Sequence, residues 1–438
     1  MVTQPSHDAE EARDALTGLP GTEAVRMRLA EWRAGRAAAG EAAPIHALLL
    51  GLRRFDAVNL AYGAGAGDAL LAEVALRLLH FAGDELDGAF IATRASGGNF
   101  LLIANEPCSR ERWQLFADQL ADAIARPTMI TGETLRLSPR LALLRATADE
   151  SLSSMLDRLG QALDTARGQQ GRRLVWADGE VVRPGHSTAR LEADLLRAIE
   201  GEEIEILFQP QYALHTDSLT GAEALARWNH PELGRIGAGT LFALAERADH
   251  VAPLSQHIAR RALDEARTWR AGLRLSLNVT PADLAAASYA SQLSAIVAEC
   301  GFPAERLTLE VTEQALLGDI HMVQWTLREL VRCGIRIALD DFGAGFCNFR
   351  YLKLLPLHYL KLDRTMIEGI TVDPRDLAVF RAIVAMADSL DLQVIVEGVE
   401  TEAQRALVAA ENCAFYQGFL RARPMSGPRF ADLARSYG

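Results

Sequence analysis

The chain has 438 residues, 49% of them hydrophobic and 23% charged, and its 57 acidic against 45 basic residues give a formal charge of −12. That apolar share excludes a wholly disordered chain, and the length suggests two domains or three. The acidic balance argues against a DNA or RNA polymer as partner, because such binders need a basic surface to displace counterions.

No apolar run approaches the roughly 18–20 residues that cross a bilayer, and the polar opening to Asp14 has no apolar signal core. Five scattered cysteines (Cys108, Cys300, Cys333, Cys347, Cys413), with no paired spacing, read as reduced thiols. The expectation is a cytoplasmic chain without membrane insertion.

Residues 1–12 are expected to form a disordered tail. His46–Leu52 then has the apolar character of a strand, and Asp68–Phe81 carries apolar residues at helical spacing. Between them, Gly63-Ala64-Gly65-Ala66-Gly67 reads as a turn. Gly88–Ala95 and Phe100–Ala104 are strand-like, and Ser96-Gly97-Gly98-Asn99 between them is hairpin-turn chemistry. A helix over about 109–126, a strand over about 135–144 and a helix over about 153–167 complete an α/β domain at 13–176.

Residues 177–187 hold Gly, Pro and His with little apolar content and read as a linker. The second domain, 188–438, opens with a helix at Thr188–Glu200. Strands then recur with helices between them: Ile204–Gln209, Leu219–Ala226, Leu273–Val279, Leu307–Thr312, Ile335–Asp340, Tyr359–Leu362 and Val394–Glu397. Such alternation over about 250 residues predicts a barrel of parallel strands ringed by helices, a TIM-type (β/α) barrel. The fold class is α/β in both domains.

Polar residues fall at telling places in those strands. Glu223, Asn278, Glu310, Asp340-Asp341, Lys361 and Glu397 lie in, or end, otherwise apolar runs. Charges there are expensive unless paired or bound to metal, and barrels keep their chemistry at the C-terminal mouth. Five carboxylates at one mouth would repel unless some stay protonated or divalent cations neutralise them. Oxygen ligands without histidine or cysteine favour Mg²⁺ or Mn²⁺ over zinc. Two such ions about 3.5–4 Å apart are a common device for in-line phosphoryl displacement. Asp340 and Asp341 suit it, one carboxylate bridging both ions and its neighbour serving the second. Taken singly, each acid could equally be a salt-bridge partner at a loop entry.

Lysine adds an independent pointer. The basic residues are almost all arginine, with only Lys353 and Lys361 as exceptions. A site that keeps lysine in such a chain needs a compact ammonium instead of a planar fork.

These segments resemble EAL domains, the cyclic di-GMP phosphodiesterases. The resemblance runs through Glu223-Ala224-Leu225-Ala226-Arg227, Leu-Asn278-Val-Thr, Leu-Glu310-Val-Thr-Glu313 and Asp340-Asp341-Phe-Gly-Ala-Gly. It continues in Leu-Lys361-Leu-Asp363, Val-Glu397-Gly-Val-Glu400 and Gln417-Gly-Phe. It implies that Glu223, Asn278, Glu310 and Asp340 hold one ion, and Asp340 and Asp341 a second. It gives Lys361 and Glu397 the positioning and deprotonation of the attacking water, with Gln417 lining the site. Gln209, Leu225 and Arg227 become substrate contacts, and Glu313 the acid bracing the loop after Asp341. Asp363 reads either as a substrate contact or as an ordinary loop acid. Cys347, in that loop, is a redox switch or an idle thiol. A homodimer is implied as well. No HExxH, Walker loop or GxSxG elbow competes.

The first domain opens with Asp14-Ala-Leu16-Thr17-Gly18-Leu19-Pro20 and resembles GGDEF domains, nucleotide-cyclase-like folds that make cyclic di-GMP from GTP. Where the signature acids belong it has Ser96-Gly97-Gly98-Asn99-Phe100, and Gly51 stands at the other metal-binding position. Without metal ligands, cyclase activity should be absent. Asn59 and Asp68 fall where the family recognises guanine, so GTP could still dock and regulate. Equally, Asn59 could cap a helix and Asp68 start the next. Asp87-Gly-Ala-Phe90 replaces the family's inhibitory RxxD motif. The expectation is a phosphodiesterase forming linear pGpG; the rivals are a non-hydrolysing cyclic di-GMP receptor and a bifunctional enzyme.

Overall fold

Ile45–Leu52 (β1) is buried along its whole length, as an apolar strand covered on both faces must be. The computed structural model describes residues 13–39, 45–53, 55–86, 89–106, 108–130, 133–146, 150–168, 173–177, 188–316, 319–343, 349–367 and 369–437. The expected tail, nearly all of the linker, Asp87 and Cys347 lie outside these residues. The chain divides into two compact units, 1–191 with 229–241, and 192–228 with 242–438.

In the first unit β1 is followed by β2 (Ala89–Ser96), β3 (Asn99–Asn105), a small hairpin of β4 (Thr128–Ile130) and β5 (Glu133–Leu135), then β6 (Pro139–Ala146) and β7 (Leu174–Trp176). The main sheet is ordered β2-β3-β1-β6-β7. Its helices are α1 (Thr22–Ala39), α2 (Phe55–Tyr62), α3 (Ala64–Glu85), α4 (Arg110–Ala125) and α5 (Leu152–Gly168). Leu48, Leu50, Leu102 and Leu143 pack with α3 and α4 on one face. Ala47, Leu49, Leu101 and Ile103 pack with α1 and α5 on the other. The expected hairpin is present, with Gly97 at φ 53° in its two-residue turn.

Three expectations are corrected here. The single strand at 135–144 is instead β5 and β6, because Pro139 has no N–H to extend a ladder and opens the second strand. The glycine run at 63–67 is not a turn: Ala64–Gly67 form the first helical turn of α3. Gly67 serves close packing, since a Cβ there would lie 1.7 Å from Oδ1 of Asn59. Asn59 therefore sits within α2 and Asp68 within α3, so neither caps nor starts a helix.

The second unit is a closed barrel of eight strands. In order these are β8 (Ile204–Ala213), β9 (Leu219–His230), β11 (Arg274–Val279), β12 (Leu307–Thr312), β13 (Arg336–Phe342), β14 (Tyr359–Leu362), β15 (Gln393–Val396) and β16 (Phe415–Tyr416). Short strands β10 (Gly234–Ile236) and β17 (Met425–Ser426) lie outside that ring. From β9 to β16 the strands pair in parallel. The expectation of a wholly parallel barrel is corrected at β8, which runs antiparallel to both β9 and β16. Only Leu214–Ser218 separate β8 from β9, too short for a parallel crossover. Among the described residues no helix is long and apolar enough to cross a membrane.

Candidate active site

Parallel pairing sets the polar residues side by side. Glu223 of β9 is level with Ser276 of β11, Asn278 with Glu310 of β12, and Thr312 with Asp340 of β13. At their centre is Lys361 of β14, 1% exposed. Its Nζ lies 2.5 Å from Oε2 of Glu310, 2.8 Å from Oε1 of Glu397, 3.0 Å from Oδ1 of Asp340 and 3.5 Å from Oε2 of Glu223. Gln417 donates from Nε2 to Glu223 at 2.8 Å and to Glu397 at 2.7 Å, and Asn278 donates to Glu223 at 2.7 Å. Asp341 adopts φ 57°, and its N–H donates to Oδ1 of Asp340.

Electrostatics follow from this crowding. Burial and the neighbouring carboxylates push the Glu310 carboxyl well above its ordinary range, with Lys361 opposing them. Glu397 is raised too, by burial first and then by Asp340, Glu223 and Glu310 against Lys361. At Glu223 burial is outweighed by Lys361, Gln417 and Asn278, and the carboxyl is lowered. Burial alone would depress the Lys361 ammonium, yet four carboxylates hold it well above its usual value. Glu223, Glu310 and Asp340 each offer an oxygen within 4.8 Å of the others, as do Asp340, Asp341 and Glu397. Oε1 of Glu310 is buried with no hydrogen-bond partner. The donor set is oxygen throughout, and an unsatisfied buried carboxylate oxygen is what a hard divalent cation would complete.

Residues 192–424, more than half of the chain, match the family described as the EAL domain. The chain belongs to the EAL family. Residues 11–173 match the diguanylate cyclase GGDEF domain, so the two stand in tandem. An uncharacterised protein of Mycobacterium tuberculosis is 32% identical over 420 residues, covering 94% of this chain and 66% of that protein. The cyclic di-GMP phosphodiesterase NbdA of Pseudomonas aeruginosa is 29% identical over 429 residues, covering 97% of this chain and 54% of NbdA. The chain thus spans only part of the length of these relatives. Among solved structures, the PaMucR phosphodiesterase in complex with c-di-GMP superposes with a TM-score of 0.52 at 32% identity, over 55% of this chain and 99% of that one.

The remaining residues singled out in this EAL barrel take varied positions. Gln209 faces Glu223 across the β8–β9 pair and donates to the Ala422 carbonyl at 2.8 Å. Leu225 is half-buried and Arg227 buried, on the same side of β9 as Glu223 by strand alternation. Asp363 is buried and accepts from the N–H and hydroxyl of Thr365, capping a short helical turn. Glu313 is half-buried at the start of a 3₁₀ turn. One participant was not singled out: Gln211 donates to Oε1 of Gln417 at 3.0 Å and steadies it. Its signal was the Gln209-Pro210-Gln211 alternation, which puts both amides on one strand face. In the GGDEF domain Asn59 is half-buried against Gly67, and Asp68 is exposed.

Proposed function

We propose that the EAL barrel hydrolyses cyclic di-GMP to linear pGpG with two divalent cations, Mg²⁺ or Mn²⁺. The carrying observation is the ring of carboxylates around one buried ammonium, with a Glu310 oxygen unsatisfied. Five carboxylates against one lysine leave four negative charges, which two divalent cations match. Glu223, Asn278, Glu310 and Asp340 would hold one ion, and Asp340 with Asp341 the other. Such ions, when bound, supply electrophilic charge at the phosphodiester and acidify water.

The chain's own groups do the rest. Glu397, with its raised carboxyl, takes a proton from the attacking water. Lys361 orients that water and steadies charge building on the phosphoryl oxygens. Gln417 fixes Glu397 relative to Glu223. The water oxygen bonds to phosphorus while the bond from phosphorus to one ribose 3′ oxygen breaks. The proton gained by that oxygen balances the one taken by Glu397. Gln209, Leu225, Arg227 and Asp363 would contact the substrate, and Glu313 would brace the loop after Asp341.

The GGDEF domain, lacking its metal ligands, would be inactive as a cyclase and able to respond to GTP. The family likeness supports a homodimer, read by sedimentation, and a cytoplasmic setting. Purified protein with Mg²⁺ or Mn²⁺ is expected to convert cyclic di-GMP to pGpG, resolved by chromatography, and Glu223→Ala to slow it at least about 100-fold. Tight binding with no linear product under either metal would identify a receptor instead.

A further inference from the structure

Gly51, the last residue but one of the buried strand β1, stands where the GGDEF likeness puts a metal-binding aspartate. It is the cross-strand partner of Asn99. A Cβ on Gly51 would lie 2.5 Å from Nη2 of Arg167 and 3.0 Å from Oδ1 of Asn99. That Nη2 donates to Oδ1 of Asn99 at 2.5 Å. The missing side chain at 51 is thus what admits a guanidinium from α5. Beside it opens a cavity of about 430 Å³ whose polar lining is Arg53, Arg167, Ser96 and Asn99, with the bare backbone of Gly97 and Gly98.

These residues do not fit a divalent cation. No carboxylate lines the cavity, and among the described residues no group of acids, histidines or cysteines close enough to hold an ion includes a lining residue. The acid paired with Arg167 is Asp164, with Nη1 and Oδ1 3.5 Å apart and its side chain 78% exposed, a screened surface contact.

We propose that this cavity binds a polyphosphate chain, free or borne by a nucleotide, with no divalent cation, Arg167 supplying the charge that metal supplies elsewhere. Guanidinium forks match phosphate oxygens in pairs, and two of them suit more than one phosphate. The volume falls within the roughly 300–1,000 Å³ of small-ligand sites. Glycines at 97 and 98 let an anion approach the backbone. A Mg²⁺-complexed polyphosphate carries less negative charge and brings a cation toward Arg167, so the free anion is the tighter ligand. This deepens the reading of the first domain as GTP-responsive and rests on it, but not on hydrolysis by the barrel.

The test is titration calorimetry of the full chain with GTP and with inorganic tripolyphosphate, each in EDTA and in excess Mg²⁺. Both ligands are expected to bind in EDTA, with affinity falling at least about threefold in Mg²⁺. Arg167→Gln should weaken binding about tenfold or more, as loss of a charged hydrogen bond does, and Arg167→Lys less. Asn99→Asp, which gives Arg167 an anionic partner, should weaken it likewise and covers the case of Arg167→Gln failing to fold. GTP binding well above tripolyphosphate assigns the site to nucleotides; equal binding assigns it to the phosphate chain. Absence of binding by either ligand, a requirement for Mg²⁺, or indifference to both Arg167→Gln and Asn99→Asp would overturn the proposal. Arg167→Gln and Asn99→Asp leave the barrel's residues untouched, so the binding they remove reads this cavity alone; its failure leaves the hydrolysis reading standing, and the reverse.

Discussion

Lys361 has four carboxylates within 3.5 Å and is 1% exposed, so removing its charge strands several anions in a dry site. Breaking such a buried arrangement by deleting one partner costs about 3–5 kcal/mol. Lys361→Met should therefore melt several degrees below the parent in EDTA and recover part of that loss with Mg²⁺ or Mn²⁺. An unchanged melting temperature would contradict the central role given to the ammonium. His46 makes a second prediction. Burial first, then Arg145, lowers its imidazole from 6.5 to about 4, with Arg36 and Arg110 adding and the Glu106 backbone opposing. The folded value lies below the unfolded one, so between these limits the unfolded chain holds the extra proton. Stability from this group is whole above pH 6.5 and lost as pH falls toward 4, by about 3 kcal/mol at the lower end. Thermal melts of His46→Phe should fall less steeply than the parent's across that window. Lys361 was legible because lysine is so scarce in the sequence. Arg167 was not, since nothing in an arginine-rich chain marks one guanidinium that turns inward beside a glycine.

Gly418 illustrates control at the scale of elements. It follows Gln417 at φ 154°, and a Cβ there would come within 2.3 Å of both N and O of Val399. That close passage keeps Gln417 between Glu223 and Glu397. Gly418→Ala should part the two segments and lower turnover about tenfold or more, measured as pGpG formation. Strands with long apolar runs, such as those holding Glu310 and Asp340, were plain in the sequence. The eighth barrel strand, Phe415–Tyr416, was not, because two residues carry no periodicity. The reversal of β8 was readable only from the shortness of Leu214–Ser218.

For the whole molecule, the two domains differ in what substitution has done to their acids. The barrel carries the carboxylates proposed to hold two cations, whereas the first domain has Gly51, Gly98 and Asn99 where its family likeness puts metal-binding acids. GTP with Mg²⁺ should therefore yield no cyclic di-GMP, and any synthesis detected by mass spectrometry would refute the assignment. The domain order and chemical type of the barrel site were legible because its acids interrupt apolar strands. The course of the chain into that barrel was not. Since β8 runs against its neighbours, Ile204 lies level with Trp228, at the end of β9 beyond Glu223 and Arg227. Had this strand run with the others, incoming polypeptide would join the ring beside Leu219, at the opposite end of β9. Here it enters at the rim where the parallel strands finish, the rim that carries Asp340, Asp341 and Glu397.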